Sequence, residues 1–254
     1  VQAILYIGHG SRMKEAVRQA IEFIEHGKKA ISIPIQEICF LELASPSIPE
    51  GIKRCAEQGA TKIAIVPVLL LTAVHAKIDI PIEIQKAKAL YPAIQFEYGK
   101  PFGVHSKIIE SLLAKIYEKE IKIKEDAMVL LVGRGSSDPD VKHNLAQIAQ
   151  LLQQRYPFKK VSICFLTAAE PSFEEGLQLA IESRHEQVFV VPYLLFTGIL
   201  MKSIERTVRQ LKTGKQHFIL CEYLGYHTNL QEVLIERAVA LTNRMCETSE
   251  ESLE

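Results

Sequence analysis

The stretch ILYIGHGSR, residues 4–12, runs an apolar segment into a glycine–histidine–glycine turn, and VLLVGRGSS at residues 129–137 answers it 125 positions later. Two further pairs keep that register: FLELASPSIPEG at 40–51 with FLTAAEPSFEEG at 165–176, and VPVLLLTAVHAK at 66–77 with VPYLLFTGILMK at 191–202. A fourth pair, GVH at 103–105 and GYH at 225–227, is offset by 122, as a small loop deletion would leave it. Three segments in one register define an internal duplication, so the fold of the first half predicts that of the second.

Within each copy, short aliphatic runs alternate with helical patterns. Residues 3–7, 33–40, 62–67 and 94–98 read as buried parallel strands, and 128–132, 161–165, 187–192 and 218–223 repeat the scheme. Ala16, Val17, Ala20, Ile21 and Ile24 follow helical spacing behind a capping Ser11; Ser47 with Glu50 forms a capping-box pattern, and Pro139 suits a first helical turn. Alternating β and α elements predict an α/β fold, each lobe a parallel sheet with helices on both faces. The boundaries expected are 1–120 for an N-terminal lobe carrying the site and 127–245 for its duplicate. The charged segment Glu118–Asp126 would be the linker and 246–254 a frayed acidic tail. In open sheets of this kind ligands bind beyond the carboxyl ends of the strands, where strand order reverses.

Composition removes several classes of function. The 30 Lys and Arg balance 30 Asp and Glu, and no basic stripe of the kind nucleic acid requires is present. The five cysteines, Cys39, Cys55, Cys164, Cys221 and Cys246, include no CxxC, which argues against a zinc ribbon, an iron–sulfur motif or a disulfide scaffold. The longest apolar run, Ile63–Val74, is broken by Pro67 and too short to span a bilayer. A cytoplasmic monomer that binds neither nucleic acid nor membrane is the expectation.

Chemistry-bearing side chains concentrate at the predicted strand ends. His9 follows the first strand, Glu42 the second, and His75 lies in the loop after the third. Their counterparts 125 positions on are Arg134, Thr167 and Leu200, so all three candidates fall in one lobe. A lone histidine after a strand is more often a turn residue than a ligand; the companions Glu42 and His75 reverse that reading. Two imidazoles and a carboxylate form a mixed N/O set suited to a divalent first-row metal, with coordination positions left open. A structural zinc site would be closed by four protein ligands. His105 and His227 recur in both copies at predicted helix starts, which points to a shared structural role; His26, His143, His185 and His217 sit in polar surroundings. No GxGxxG or Walker pattern accompanies the glycines. A histidine phosphatase would carry Arg immediately before the histidine, where this chain has Gly8. The loop LLLTAVHAK at 69–77 is apolar where α/β loops tend to be polar, and beyond Leu70 it suits a large flat ligand.

GHGSR at 8–12, FLELASP at 40–46 and VPVLLLTAVHAKIDIP at 66–81 together resemble the class II tetrapyrrole chelatases, with the likeness extending over nearly the whole chain. Within that family the likeness is nearest to the iron-inserting sirohydrochlorin chelatases in their long, duplicated form; the cobalt-inserting members share the same motifs. The resemblance implies two flavodoxin-like lobes with a cleft between them, and insertion of Fe2+, or alternatively Co2+, into sirohydrochlorin with release of two protons. The metal is then a substrate, and no permanently bound cofactor is expected. It implies that His9 and His75 bind the metal and assist proton removal, that Glu42 joins them as a metal-binding carboxylate, and that Leu70, Leu71, Thr72, Ala73 and Val74 lie against the macrocycle. Arg12, Lys77, Arg134 and Lys202 stand beside the motifs as candidates for the substrate's carboxylates. The histidine-rich tail of some relatives and the cysteine cluster of others do not occur in this sequence, so the resemblance does not extend to metal storage or redox sensing. A carrier that holds a tetrapyrrole or a metal without joining them is the competing reading from outside enzymology.

Overall fold

The structure, a computed structural model, describes residues 1–212 and 214–250, with the backbone alone for 248–250. Among the described residues, eight strands form two four-stranded sheets. In the first, β1 (Gln2–Gly8), β2 (Ile35–Phe40), β3 (Lys62–Val68) and β4 (Gln95–Tyr98) take the order β2-β1-β3-β4, every pairing parallel. In the second, β5 (Met128–Gly133), β6 (Lys160–Phe165), β7 (Gln187–Tyr193) and β8 (His217–Leu220) take the order β6-β5-β7-β8, again all parallel. The helices are α1 (Lys14–Lys28), α2 (Ile48–Glu57), α3 (Ile80–Leu90), α4 (Ser106–Tyr117), α5 (Pro139–Arg155), α6 (Phe173–Glu182), α7 (Ile199–Gln210) and α8 (Thr228–Glu250).

The expected α/β architecture is present in both copies, and the strands fall close to their predicted positions. Residues 3–7 of β1 and 63–66 of β3 are wholly or almost wholly buried, as central strands covered on both faces must be. Ala3, Leu5 and Ile7 pack on one face with Ile52 of α2 and Ile80 and Ile84 of α3. Because the chain passes from β1 outward to β2 and then returns to the other side of β1 for β3, the strand order reverses at β1. The loops after β1, β2 and β3 therefore meet at one carboxyl edge.

The compact units do not coincide with the two copies of the repeat. The compact units are Val1–Gly103 with Gln231–Glu254, and Val104–Leu230. Helix α4, which follows the first sheet in sequence, belongs to the second unit and packs on β7 and α5. Helix α8 belongs to the first, where Leu234, Ala238, Leu241 and Met245 give it a buried stripe. Gln231 Nε2 donates to the Phe23 carbonyl at 3.0 Å and Arg237 Nη2 to the Phe102 carbonyl at 2.6 Å. The segment Glu118–Asp126 is accordingly not a linker between units. It is tied to the second: the buried Gln187 accepts the Lys124 N–H at 2.8 Å and donates to the Lys122 carbonyl at 3.0 Å. The tail expected from residue 246 is helical through Glu250, and 251–254 lie outside the described residues.

Local signals behave as their chemistry dictates, with one exception. The capping boxes of α2 and α6 form, the Ser47 N–H donating to Glu50 at 2.7 Å and the Ser172 N–H to Glu175 at 2.7 Å. The bond from Ser47 holds the Glu50 carboxyl below the usual carboxylate range. Pro139 opens α5 behind an Asp138 cap. Ser11 does not cap α1, which starts at Lys14 behind Met13. Its hydroxyl oxygen instead accepts the Met13 N–H at 3.1 Å, closing the turn ahead of the helix, as Ser136 does for Asp138.

His105 and His227 are the predicted structural pair: His105 Nδ1 accepts the Lys107 N–H at 3.2 Å and His227 Nδ1 the Asn229 N–H at 3.2 Å. Desolvation, assisted by Lys115, pulls the His227 pKa below its ordinary value. A depressed folded-state pKa means the imidazole contributes fully above the unfolded value of about 6.5, and that contribution is lost as pH falls through the folded value. We therefore expect the melting temperature of His227→Asn to fall less than that of the parent as pH drops below about 6.5. Equal acid losses in the two proteins would remove His227 from the account.

Candidate metal centre

The pairing of β1 with β2 continues past the ends of both strands. The Leu41 N–H donates to the Gly8 carbonyl at 2.9 Å and the Glu42 N–H to the His9 carbonyl at 3.1 Å, which sets His9 and Glu42 side by side. Gly10 makes this approach possible. Its φ is +94°, and a Cβ there would stand 1.7 Å from the Glu42 carbonyl oxygen. The second unit builds the same turn: the Thr167 N–H donates to the Arg134 carbonyl at 2.9 Å, and Gly135, at φ +92°, would bring a Cβ within 1.8 Å of the Thr167 oxygen. The backbone device is thus common to both copies and does not require a histidine or a glutamate. His9 and Glu42 are additions to a scaffold that holds without them.

His75 arrives from the third loop. Strand β3 ends at Val68, and the Leu69 and Leu70 carbonyls accept the N–H groups of Phe102 and Gly103 at 2.9 and 2.8 Å, which anchors the loop at its start. His75–Asp79 then forms a single π-helical turn, with the Ile80 N–H donating back to the His75 carbonyl. Pro81 has no N–H to offer the Lys77 carbonyl, so the regular helical ladder is interrupted where the wider turn occurs. The hydroxyl of Tyr98, on β4, donates to the Ala76 carbonyl at 2.8 Å and pins the turn from outside.

These three loops bring one ligand atom each of His9, Glu42 and His75 within 4.8 Å of one another. His9 Nδ1 lies 3.7 Å from Glu42 Oε1, and the two imidazole rings meet edge to face with centroids 5.0 Å apart. The side chains are 24 % (His9), 42 % (Glu42) and 33 % (His75) exposed, open enough for exchange with a ligand from solution. Hydrogen bonding selects the tautomers. His9 Nδ1 faces the Gly10 carbonyl at 3.3 Å and His75 Nδ1 faces Asp79 Oδ2 at 2.6 Å; both oxygens only accept, so each Nδ1 carries the proton and each Nε2 the lone pair. Three donors of N and O type, with no fourth protein ligand closing the set among the described residues, can take a divalent cation and leave positions for a second ligand.

The structure thus brings together the three metal-ligating candidates, and the loop Leu70–Val74, partly exposed throughout, leads directly into His75. Arg12 is exposed and lines a cavity of about 590 Å³ with Lys14, Leu43 and Ile21, beside the β1 and β2 loops. Lys77 is exposed on the π turn. Arg134 and Lys202 belong to the second unit, at the strand-end turn equivalent to that of His9 and on α7. Two residues beside the site were not foreseen. Asp79 bonds His75, and Ile82, 46 % exposed, lines a second cavity of about 450 Å³ together with Glu42, His75 and Asp79. The i,i+4 spacing of His75 and Asp79 was the available signal. It looks the same as that of any exposed helical pair.

Comparison with known proteins identifies the family. The CbiX family model matches residues 3–119 and again 128–241, one match per copy of the repeat. A sirohydrochlorin ferrochelatase of Priestia megaterium is 56 % identical over 241 residues, covering 95 % of this chain and 91 % of the relative. A sirohydrochlorin cobaltochelatase of the same organism is 38 % identical, covering 94 % and 79 %. Among solved structures, SirB from Bacillus subtilis with Fe3+ superposes with a TM-score of 0.86 at 46 % identity, covering 93 % of each chain. With two matched copies, two parallel sheets and an N/O ligand cluster at the carboxyl edge of the first, the chain belongs to the CbiX family of class II chelatases.

Proposed function

We propose that this protein is a sirohydrochlorin ferrochelatase, inserting Fe2+ into sirohydrochlorin and releasing two protons. The observation that carries the reading is the convergence of His9, Glu42 and His75 in one unit while the equivalent positions in the other hold Arg134, Thr167 and Leu200. A cluster that served folding would have been kept in both copies. The open N/O set suits a metal that is to be handed on.

Insertion exchanges two pyrrole N–H protons for one divalent cation, so the metal must reach one face of the macrocycle with bases close by. The Nε2 lone pairs of His9 and His75 hold Fe2+ from the protein side, and Glu42 either completes the set or takes a proton as the pyrrole nitrogens displace it. A neutral imidazole becomes available as a base once the metal leaves it, which couples delivery to deprotonation. The partly exposed Leu70–Val74 segment, extended by Ile78 and Ile82 at 51 % and 46 % exposure, supplies an apolar surface beside the metal for the ring. Arg12, exposed beside the β1 and β2 loops, is assigned to the carboxylate arms. A ring edge bearing carboxylates matches the mixed lining of the Arg12 cavity, where Lys14 adds a cation and Leu43 and Ile21 add apolar surface.

Insertion of Co2+ is the second reading, favoured by the cobaltochelatase relative and by the general preference of N/O ligands for Co2+ over Fe2+. Turnover with Fe2+, Co2+ and Ni2+ in competition, followed by the visible spectrum of the metallated product, separates the possibilities. Multiple turnovers above the uncatalysed rate with Fe2+ preferred are expected. Preference for Co2+ would reassign the metal. Binding at one equivalent without turnover would make the protein a carrier.

A further inference from the structure

The geometry points to Asp79 as the residue that orients His75 for metal delivery, an assignment that rests on the metal-centre reading above. Asp79 Oδ2 lies 2.6 Å from His75 Nδ1, the length of a charge-assisted hydrogen bond, while its carboxylate stands outside the three-residue ligand cluster. A carboxylate can only accept, so the pair places the proton on Nδ1 and the lone pair on Nε2. A metal-bound imidazole needs this partner: the bond to the far nitrogen fixes the tautomer, stops the ring from rotating and increases its basicity.

Three features of the local fold serve this contact. His75 and Asp79 are the first and last residues of the single π-helical turn, so the bond closes that turn on the side-chain side as the Ile80 N–H closes it on the backbone side. The turn is held independently by the Tyr98 hydroxyl on the Ala76 carbonyl and by the Lys77 N–H on the Ala73 carbonyl at 3.0 Å, so the backbone keeps its course without Asp79. The duplicated unit provides an internal contrast. Leu200 stands where His75 does and Ile204 where Asp79 does, and Ile204 is fully buried in an ordinary helical segment of α7. Ligand and partner are both present in one copy and both absent from the other, as expected if Asp79 acts through His75.

On His9 the Nδ1 contacts are longer, with the Gly10 carbonyl at 3.3 Å and Glu42 Oε1 at 3.7 Å. The two histidines are therefore unequal, and His75 is the better oriented and more strongly donating arm of the site.

The test uses the full-length protein and Co2+ alone as the probe, read by its visible absorption bands. Asp79→Ala should weaken Co2+ binding about 10- to 100-fold with the melting temperature close to that of the parent, and Asp79→Asn should fall between the two. In a His75→Ala background the Asp79→Ala change should have no further effect on Co2+ affinity, because nothing is left to orient. Unchanged Co2+ affinity in Asp79→Ala, or an equal loss in the presence and absence of His75, overturns the assignment while leaving the metal centre intact. If the parent protein itself fails to bind Co2+, the metal-centre reading falls, and the role of Asp79 with it.

Discussion

Replacement of His75 by alanine is expected to lower the rate of metal insertion by at least ~100-fold, the scale of a lost ligand and proton-transfer group, with little change in melting temperature. The expectation follows from what His75 does and does not support. Its ring is one-third exposed, and its contacts are Asp79 and the edge of His9, both at the same surface. The loop that carries it is held by backbone bonds from Phe102 and Gly103 and by Tyr98, none of which uses the imidazole. His9→Ala should behave similarly, because the turn around His9 is reproduced in the second unit with arginine in its place. His227→Ala is the matched control: that ring bonds a helix start in the other unit, so it should cost stability and leave insertion near the parental rate. Single-turnover absorbance traces with Fe2+ and sirohydrochlorin measure all three. Near-parental rates in both His9→Ala and His75→Ala would remove the cluster from the chemistry, whatever its resemblance to a metal site.

How much of this could be read beforehand depends on how local each signal is. Strand positions follow from runs such as Ala3–Ile7 and Lys62–Pro67, whose continuous apolar character leaves no other placement, and the 125-residue register carried the assignment to the second sheet. The convergence of His9, Glu42 and His75 was legible because strand order in a parallel sheet puts successive loop starts on one edge. The exchange of α4 and α8 was not. An amphipathic stripe such as Leu234, Ala238, Leu241 and Met245 states that a helix has a buried face, but both sheets offer similar aliphatic surfaces, and the stripe does not say which one it covers. The π turn escaped for another reason. It arises from a conflict between Pro81 and the helical ladder together with an external bond from Tyr98 to Ala76, 22 residues away in sequence. Asp79 was missed with it, since its importance depends on the ring it faces.

Gly10→Ala and Gly135→Ala should be nearly equal in stability cost, and only the first should weaken metal binding. Each glycine has a left-handed backbone that L side chains enter at a cost of about 1–2 kcal/mol. An added Cβ would also lie 1.7 Å from a backbone carbonyl oxygen at Gly10 and 1.8 Å at Gly135. A contact that short is relieved only by moving the backbone of the neighbouring loop, so each substitution should destabilise by more than about 2 kcal/mol and lower the melting temperature by about 5 °C or more. The carbonyl that must retreat in Gly10→Ala belongs to Glu42, whose own N–H is bonded to the His9 carbonyl. Its displacement separates the two side chains that stand 3.7 Å apart and dismantles one side of the ligand set. In Gly135→Ala the retreating residue is Thr167, opposite Arg134, and the His9–Glu42–His75 cluster is left in place. Co2+ titration at a temperature where both variants remain folded should therefore show a large loss of affinity for Gly10→Ala and a parental value for Gly135→Ala. Equal losses in the two would mean that metal affinity tracks overall stability and not the placement of Glu42 against His9. The duplication supplies this comparison within one chain: the same strain is applied to the same turn twice, and only one copy has chemistry to lose.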